Sequence, residues 1–334
     1  MGLRTGSTNT GTENQAGSTR SRGPGAGAEA GAYIMDKPFI TLSDFLKDRF
    51  GEKVFKVSLD AGFTCPNRDG AKGAGGCIYC NSESIVPLSY SGEEIKGQLL
   101  SGMAKVRKRY NANKFIAYFQ INSNTYASVD RLKNIYREAL HPDVVALAVS
   151  TRPDCVNDEV LDLLSEIKKE RPLWLELGLQ TANDSTLASI NRGHTAFEFR
   201  DAVERARRSG IDVCAHVIIG LPDETREDVL ATARFLRDSR VWGVKFHQLQ
   251  VLKDTPLLKL YEDGKVKTLS LDEYADCVVE FLRILPPSIV IHRLSGDAPL
   301  KYLVAPKWGA NKFIVAEHIN KLLKLRIEVN PERV

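Results

Sequence analysis

Short apolar runs alternate with amphipathic stretches from Met35 onward, and that alternation sets the expected fold. The runs VFKVSLD (54–60), FIAYFQI (115–121), VVALAVS (144–150), LWLELGL (173–179), VCAHVIIG (213–220) and VKFHQLQVL (244–252) read as strands. Helical periodicity fills 94–110, 128–140, 157–170, 195–209 and 224–238, and Asp158–Glu159 and Thr195 mark helix entries. Strict strand–helix alternation argues for a parallel sheet with right-handed crossovers. Six such units predict an α/β protein, a partial (β/α)6 TIM-type barrel over 35–255, covered by a small C-terminal extension over 256–334.

In such barrels chemistry gathers at the C-terminal ends of the strands, and the polar residues of this chain fall there. The first strand runs into SLDAGFTCPNRDGAKGAGGCIYC, which places Cys65, Cys77 and Cys80 in one loop. The second strand ends in Gln120, Asn122, Asn124 and Thr125, the third in Ser150, Thr151, Arg152, Pro153 and Asp154. Alternate residues of a strand share a face, so Glu176, Gly178 and Gln180 should project together into the barrel. A carboxylate buried there needs a partner. It either accepts from the ribose hydroxyls or amino group of a ligand, or forms an internal salt bridge, for which Lys245 and His247 have inward-compatible spacing.

The three thiols allow more than one chemistry. Structural zinc closes with four ligands, yet no fourth Cys lies nearby and no His precedes His141. A C-x-x-C redox motif needs no third Cys. Six Cys in 334 residues without a secretory signal indicate reduced, cytoplasmic usage, not disulfides. Iron–sulfur centres as a rule take four thiolates, so three imply a cluster with one open iron. The spacing favours that open cluster and leaves zinc as the alternative.

Composition narrows the classes without choosing among them. The chain is 43% hydrophobic and 26% charged, as in an ordinary globular protein, and no apolar run reaches the ~20 residues of a membrane span. A net charge of +4 supports nucleic-acid binding only weakly. Residues 1–34 hold 8 of the 25 Gly and almost no large apolar side chain, so this tail is expected to be disordered. It lacks the apolar stretch of a signal peptide, and Gly6 breaks the myristoylation pattern. A start at Met35 is the alternative to a genuine tail.

The cysteine loop, ELGLQTAND…INRGH (176–194) and HVIIGLPDET (216–225) together resemble the radical S-adenosylmethionine (SAM) enzymes, over residues 38–310. Within them the match is to the YhcC-like group, related to the Elongator catalytic-subunit and oxygen-independent coproporphyrinogen oxidase branches. The usual family spacing is C-x3-C-x2-C; the longer first gap here is similar to that of the Elongator-like branch. The resemblance implies that Cys65, Cys77 and Cys80 ligate a [4Fe–4S] cluster whose unique iron chelates SAM. One electron then cleaves SAM to methionine and a 5′-deoxyadenosyl radical. It also implies an external electron donor of flavodoxin or ferredoxin type.

Further roles carry over by the same resemblance. Tyr79 matches an aromatic position near the adenine, and Ile218, Ile219 and Gly220 match an adenine-packing stretch. Gln180 and Arg192 match a Gln and an Arg that contact SAM, with Arg192 suited to a two-pronged grip on its carboxylate. His216 stands where the coproporphyrinogen branch has an Asp, and Ser150 where it has a Glu, whose part Glu176 would take over. Cys155 is expected at the mouth of the site; Lys245, His247, His292 and Arg293 are expected to touch substrate. SIVIHRLSGDAPLKYLVAPKW (288–308) matches the family's C-terminal segment and would cover the barrel. Cys214 and Cys277 read as ordinary buried thiols.

The substrate stays open at this level. Relatives that act on tRNA, with the basic runs KVRKRY (105–110) and RARR (205–208), favour an RNA. A small metabolite or a protein side chain is the alternative, and an electron carrier or sensor without radical catalysis is a third. The last fits poorly with Glu176, Gln180 and Arg192, since an electron carrier needs no SAM pocket.

Overall fold

The structure is a computed structural model, and it describes residues 39–81 and 94–329, with side chains as far as 326. The expected disordered tail over 1–34 lies outside the described residues. Lys37–Val334 cluster as one compact unit.

Each expected strand forms, followed by its helix. In chain order come β1 (Ile40–Thr41), α1 (Leu42–Phe50), β2 (Val54–Leu59), α2 (Ile95–Tyr110), β3 (Lys114–Phe119), α3 (Val129–Glu138) and β4 (Val144–Thr151). Then follow α4 (Asp158–Glu170), β5 (Leu173–Gln180), α5 (Asp184–Ser189), α6 (Ala196–Arg208), β6 (Asp212–Ile219), α7 (Arg226–Ser239) and β7 (Gly243–Gln248). The remainder is β8 (Val251–Leu252), α8 (Pro256–Glu262), α9 (Leu271–Ile284), β9 (Val290–Arg293), β10 (Leu303–Ala305) and α10 (Lys312–Val329). Thr195 and Glu198 close a capping box on α6, as Thr225 and Asp228 do on α7, and Asn157 caps α4, which fixes these entries as the hydroxyl and acidic signals implied.

The sheet runs β1-β9-β7-β6-β5-β4-β3-β2, every pair parallel. It is the expected partial barrel, with eight strands where six were counted. The added strands are β1 and β9. The segment around His292 is therefore not a lid: β9 pairs with β7 and continues the sheet. A two-residue and a four-residue strand carry too little pattern to be assigned to a sheet from sequence, and only the register with β7 does so.

The interior is layered. Outside the sheet, α2–α4, α6, α7, α9 and α10 bury the outward strand residues in one continuous apolar core. Inside, Leu42 and Leu46 of α1 pack against Ile116, Ala146, Ala148, Trp174 and Val290 and plug the N-terminal end of the barrel. Above that apolar floor most inward residues are polar up to the strand ends, with Ile218 of β6 an apolar exception.

Candidate active site

The middle layer is centred on Glu176, which is fully buried. Its Oε1 takes Lys56 Nζ at 2.6 Å and Trp174 Nε1 at 3.3 Å; its Oε2 takes Lys245 Nζ at 2.6 Å, Tyr118 Oη at 2.8 Å and His216 Nε2 at 2.9 Å. His292 Nδ1 stands 3.4 Å from Oε1. Burial alone would raise the Glu176 carboxyl, but the charges of Lys245 and Lys56 and the His216 contact hold it well below its ordinary range. Burial presses Lys245 down to about 7 and His216 to about 3, so the imidazole is neutral and its Nε2–H donates to the carboxylate. This carboxylate is saturated by its own chain.

At the strand ends two adjoining cavities open. The smaller, of about 160 Å³, is walled by Cys65, Cys77 and Cys80 together with Arg68, Gly178, Gln180 and Arg192. The larger, of about 420 Å³, is walled by Lys245, His247, Gln248, Gln250, Arg293 and Asp297, among others. Tyr79, Cys80, Gln120, Ser150, Gln180 and His216 line both. The two chambers thus share a wall.

The cysteine loop is held by the turn 190–193. Ile78 N donates to Ile190 O at 3.1 Å, Asn191 Nδ2 to Gly76 O at 2.8 Å, and Asn67 Nδ2 to Asn191 O. Arg68 Nη2 caps Cys80 O at 2.8 Å. From the other side Arg152, buried and paired two-pronged with Asp154 at 2.9 and 3.0 Å, gives Nη1 to Arg192 O at 2.7 Å. Lys72 of the loop reaches the same Asp154 at 3.0 Å. Loop and turn therefore form one hydrogen-bonded body.

Arg192 is the charged group of the smaller chamber. Its Nη2 donates to Gly178 O at 2.7 Å, its Nη1 lies 3.6 Å from Cys77 Sγ, and its Nε is buried without a partner. Burial would raise the Cys77 thiol; the Arg192 charge and hydrogen bond outweigh it and leave the thiol lowered. Burial and the neighbouring Cys77 push Cys80 the other way. Gly178 makes room for this arrangement: a Cβ there would stand 2.5 Å from Arg192 Nη2 and 2.7 Å from Gln180 Nε2. Gln180 itself sits at φ +77°, where the register between β5 and β6 slips, so it leaves the strict alternation with Glu176.

Three comparisons place the chain among known proteins. A family model for the radical SAM superfamily matches residues 65–236, and one for its C-terminal domain matches 241–324. YtqA of Bacillus subtilis is 40% identical over 293 residues, which cover 87% of this chain and 91% of that protein. This chain belongs to the radical SAM superfamily. YhcC of Escherichia coli K12 is 39% identical over 83% of this chain and 90% of its own length. Among solved structures, Elp3 of Methanocaldococcus infernus superposes with a TM-score of 0.63 at 16% identity, covering 83% of this chain and 63% of that one, a likeness of fold. The chain is thus a radical SAM enzyme, and the cofactors of its family are a [4Fe–4S] cluster and SAM. Among the described residues no helix is long and apolar enough to cross a membrane.

Against that identity the expected site residues divide. Cys65, Cys77, Cys80, Tyr79, Gln180, Arg192 and His216 meet around the smaller chamber, and Lys245, His247 and Arg293 face the larger. Three expectations need correction. Glu176 lines neither chamber, because it sits one layer deeper with both oxygens occupied, the salt-bridge alternative weighed above. His292 is buried between Trp174 and Trp242 below the strand ends and faces neither chamber. Cys155 lies in the 3-10 turn after β4 and lines neither chamber, although it neighbours Ser123 and Cys65 of the smaller one; its thiol is pushed up to about 12, chiefly by burial. Ile218 lines the larger chamber while Ile219 is buried in the outer core. Lys56, Tyr118, Arg68, Gln248 and Gln250 were not singled out. For the first two the signal was present, since each occupies an inward position of its strand.

Proposed function

We propose that Cys65, Cys77 and Cys80 hold the [4Fe–4S] cluster, that SAM lies along the wall shared by the two chambers, and that the larger chamber receives the substrate. The observation that carries this reading is the meeting of three thiols and the Arg192 guanidinium, whose buried Nε has no partner, around one small cavity that adjoins a larger polar one. Among the described residues no three His, Cys, Asp or Glu side chains converge on a single metal ion. Thiols that share a chamber without converging suit a multi-iron cluster better than zinc. When bound, the cluster supplies the electron that cleaves SAM to methionine and a 5′-deoxyadenosyl radical. Arg192 holds the SAM carboxylate with the arm not spent on Gly178 O. Gln180 and Ser150 offer hydrogen bonds at the shared wall, while Tyr79 gives it an apolar face that Ile218 extends on the side of the larger chamber. The protein orients SAM and excludes water and oxygen. The electron comes from a small external donor of flavodoxin or ferredoxin type, in a reducing compartment such as the cytoplasm, consistent with six free cysteines.

A nucleotide of tRNA is the first substrate to test, on the strength of the Elongator-like resemblance. The basic runs lend no weight to it. Residues 105–110 and 205–208 close α2 and α6, and each helix leads into the N-terminal end of a strand, opposite the cysteine loop.

The test is anaerobic reconstitution with iron and sulfide, followed by dithionite and SAM. Formation of 5′-deoxyadenosine is expected; an intact cluster that makes none overturns the catalytic reading in favour of an electron carrier. Cys77→Ala should lose the iron and its visible absorbance, and full iron retention would sink the ligand assignment. Nucleoside mass spectrometry of RNA from a deletion strain tests tRNA. An unchanged profile moves the substrate to a small metabolite or a protein side chain.

A further inference from the structure

The larger chamber carries a charge that nothing in the described protein answers. Arg293 closes β9 and lines it, with Nη2 at 2.7 Å from His247 Nδ1 and 2.8 Å from Nε2. Burial, with the Arg293 charge next, keeps His247 well below its ordinary value, so the imidazole is neutral and compensates no charge. The Arg293 Nε is buried without a partner, and no carboxylate among the described residues pairs with this guanidinium. The other charges of the layer are already engaged. Glu176 is shared by Lys56 and Lys245, and Asp297, the carboxylate on the cavity wall, is half exposed and pairs with Lys312 at 3.2 Å.

The guanidinium is also held in place. Gln248 both accepts from Gly296 N at 2.8 Å and donates to Gly296 O at 3.0 Å, and Gln250 adds a bond to the same carbonyl at 3.3 Å. These bonds fold the 295–297 turn against the pair. A Cβ at Gly296 would stand 3.2 Å from His247 Nδ1 and 3.5 Å from Arg293 Nη2, so a side chain there would press the His247 ring aside by a few tenths of an ångström. A half-buried guanidinium that lines a cavity, held by His247, with its Nε buried without a partner and no carboxylate beside it, is a receptor for a planar or tetrahedral oxyanion.

We infer that Arg293, set by His247 and the Gln248–Gly296 clasp, binds an acidic group of the substrate, a carboxylate or a phosphate, in the larger chamber. The inference rests on reading that chamber as the substrate's, and it names the substrate class: a molecule bearing an oxyanion.

The test uses the cluster-loaded full chain under anaerobic conditions. Trifluoroacetate is titrated and followed by fluorine NMR, and inorganic phosphate and acetate are added as competitors. Saturable binding is expected, weakened about tenfold or more in Arg293→Gln, as befits loss of a charge-assisted contact, and partly kept in Arg293→Lys. Displacement by acetate but not phosphate assigns a carboxylate, and the reverse assigns a phosphate. Lys301→Gln on the surface should bind as the wild type does. Absence of saturable binding in the wild type overturns the inference, as does equal binding by a folded Arg293→Gln whose far-UV circular dichroism and iron content match the wild type. Should Arg293→Gln fail to fold, protection of Arg293 from phenylglyoxal by trifluoroacetate in the wild type decides, read by peptide mass spectrometry. A wild type that binds the anion yet makes no 5′-deoxyadenosine supports this inference and refutes the proposed radical chemistry.

Discussion

Two buried polar layers lie one above the other in this barrel, and they treat charge in opposite ways. Around Glu176 the charges are answered within the chain: two lysines, a tyrosine and a neutral histidine converge on one carboxylate, and the neutral His292 ring beside them is left without a hydrogen bond. At the strand ends the reverse holds. Arg192 and Arg293 each keep a buried Nε without a partner, and three thiols face a cavity. A buried group left unsatisfied costs stability, so a layer that leaves several together is shaped by something it binds. The saturated layer beneath supplies the rigidity that the open one lacks.

Acid is the bluntest way to break the comparison. His216 and His292 are held down to about 3 and about 4, and His194 beside Arg192 to about 3, burial being the first cause in each. These imidazoles are neutral in the folded protein but protonate near 6.5 when it unfolds. Their contribution is present above 6.5 and is lost as the pH falls toward 4. Glu224, pushed up to about 7 by burial, acts in the opposite sense, because between 4.5 and 7 the folded state holds a proton that the unfolded state releases. His247 is likewise held well below its ordinary value, so between 4.5 and 6.5 four imidazoles less Glu224 leave a net uptake of about three protons on unfolding, each worth roughly 1.4 kcal/mol per pH unit. Below 4.5 Glu176 adds to the loss. Urea midpoints measured from pH 7 to pH 4 should fall accordingly; a flat curve would mean that the imidazoles are charged in the fold.

Glu176→Gln separates the layers more sharply. It leaves Lys56 and Lys245 facing each other across a neutral amide, and breaking a buried pair in this way costs about 3–5 kcal/mol. The loss should show in denaturant unfolding of the protein before any cluster is loaded. Arg192→Lys is the counterpart above. A point charge cannot serve Gly178 O, the Cys77 side and a carboxylate at once. It should leave iron content and melting temperature close to wild type while 5′-deoxyadenosine formation drops roughly a hundredfold. A variant that loses its iron instead would make Arg192 a support of the cysteine loop. Gly178→Ala tests the same space from below: its Cβ cannot fit without moving Arg192 or Gln180. A destabilisation of about 1–3 kcal/mol is expected together with weakened SAM binding.

Much of this was legible in the chain before its structure. The six main strands were, because each is an apolar run bounded by helix-entry signals; so was the cysteine loop, because it follows the first of them. Depth was not. Glu176 and Gly178 share one face of β5, yet one lies in the saturated layer and the other at the open rim. Which is which depends on how far Tyr118 and Lys245 rise on neighbouring strands, and that is a matter of register. His292 reads as an exposed strand end until β9 is seen beside β7, below two tryptophans. Lys56 and Tyr118 carry the inward alternation plainly, but alternation is silent about a partner some 120 residues away. Gln248 and Gln250 gave no signal at all, since their role is to hold a backbone turn.

Tyr118→Phe is the smallest change and the most discriminating. The hydroxyl accepts from Lys245 Nζ at 2.6 Å and donates to Glu176 Oε2 at 2.8 Å, so it bridges a pair that is also in direct contact at 2.6 Å. Without it Glu176 Oε2 still takes Lys245 and His216. The ring, which lies 4.4 Å from Lys56 Nζ and 4.7 Å from Lys245 Nζ, stays in place with its cation–π contacts. The expected cost is therefore about 1 kcal/mol, that of one hydrogen bond whose partners are otherwise satisfied. If calorimetry instead finds Tyr118→Phe as costly as Glu176→Gln, the layer is an indivisible network and not a carboxylate with interchangeable partners. In that case the line between a closed floor and an open rim moves upward, because Lys245, which belongs to both, would answer first to the floor.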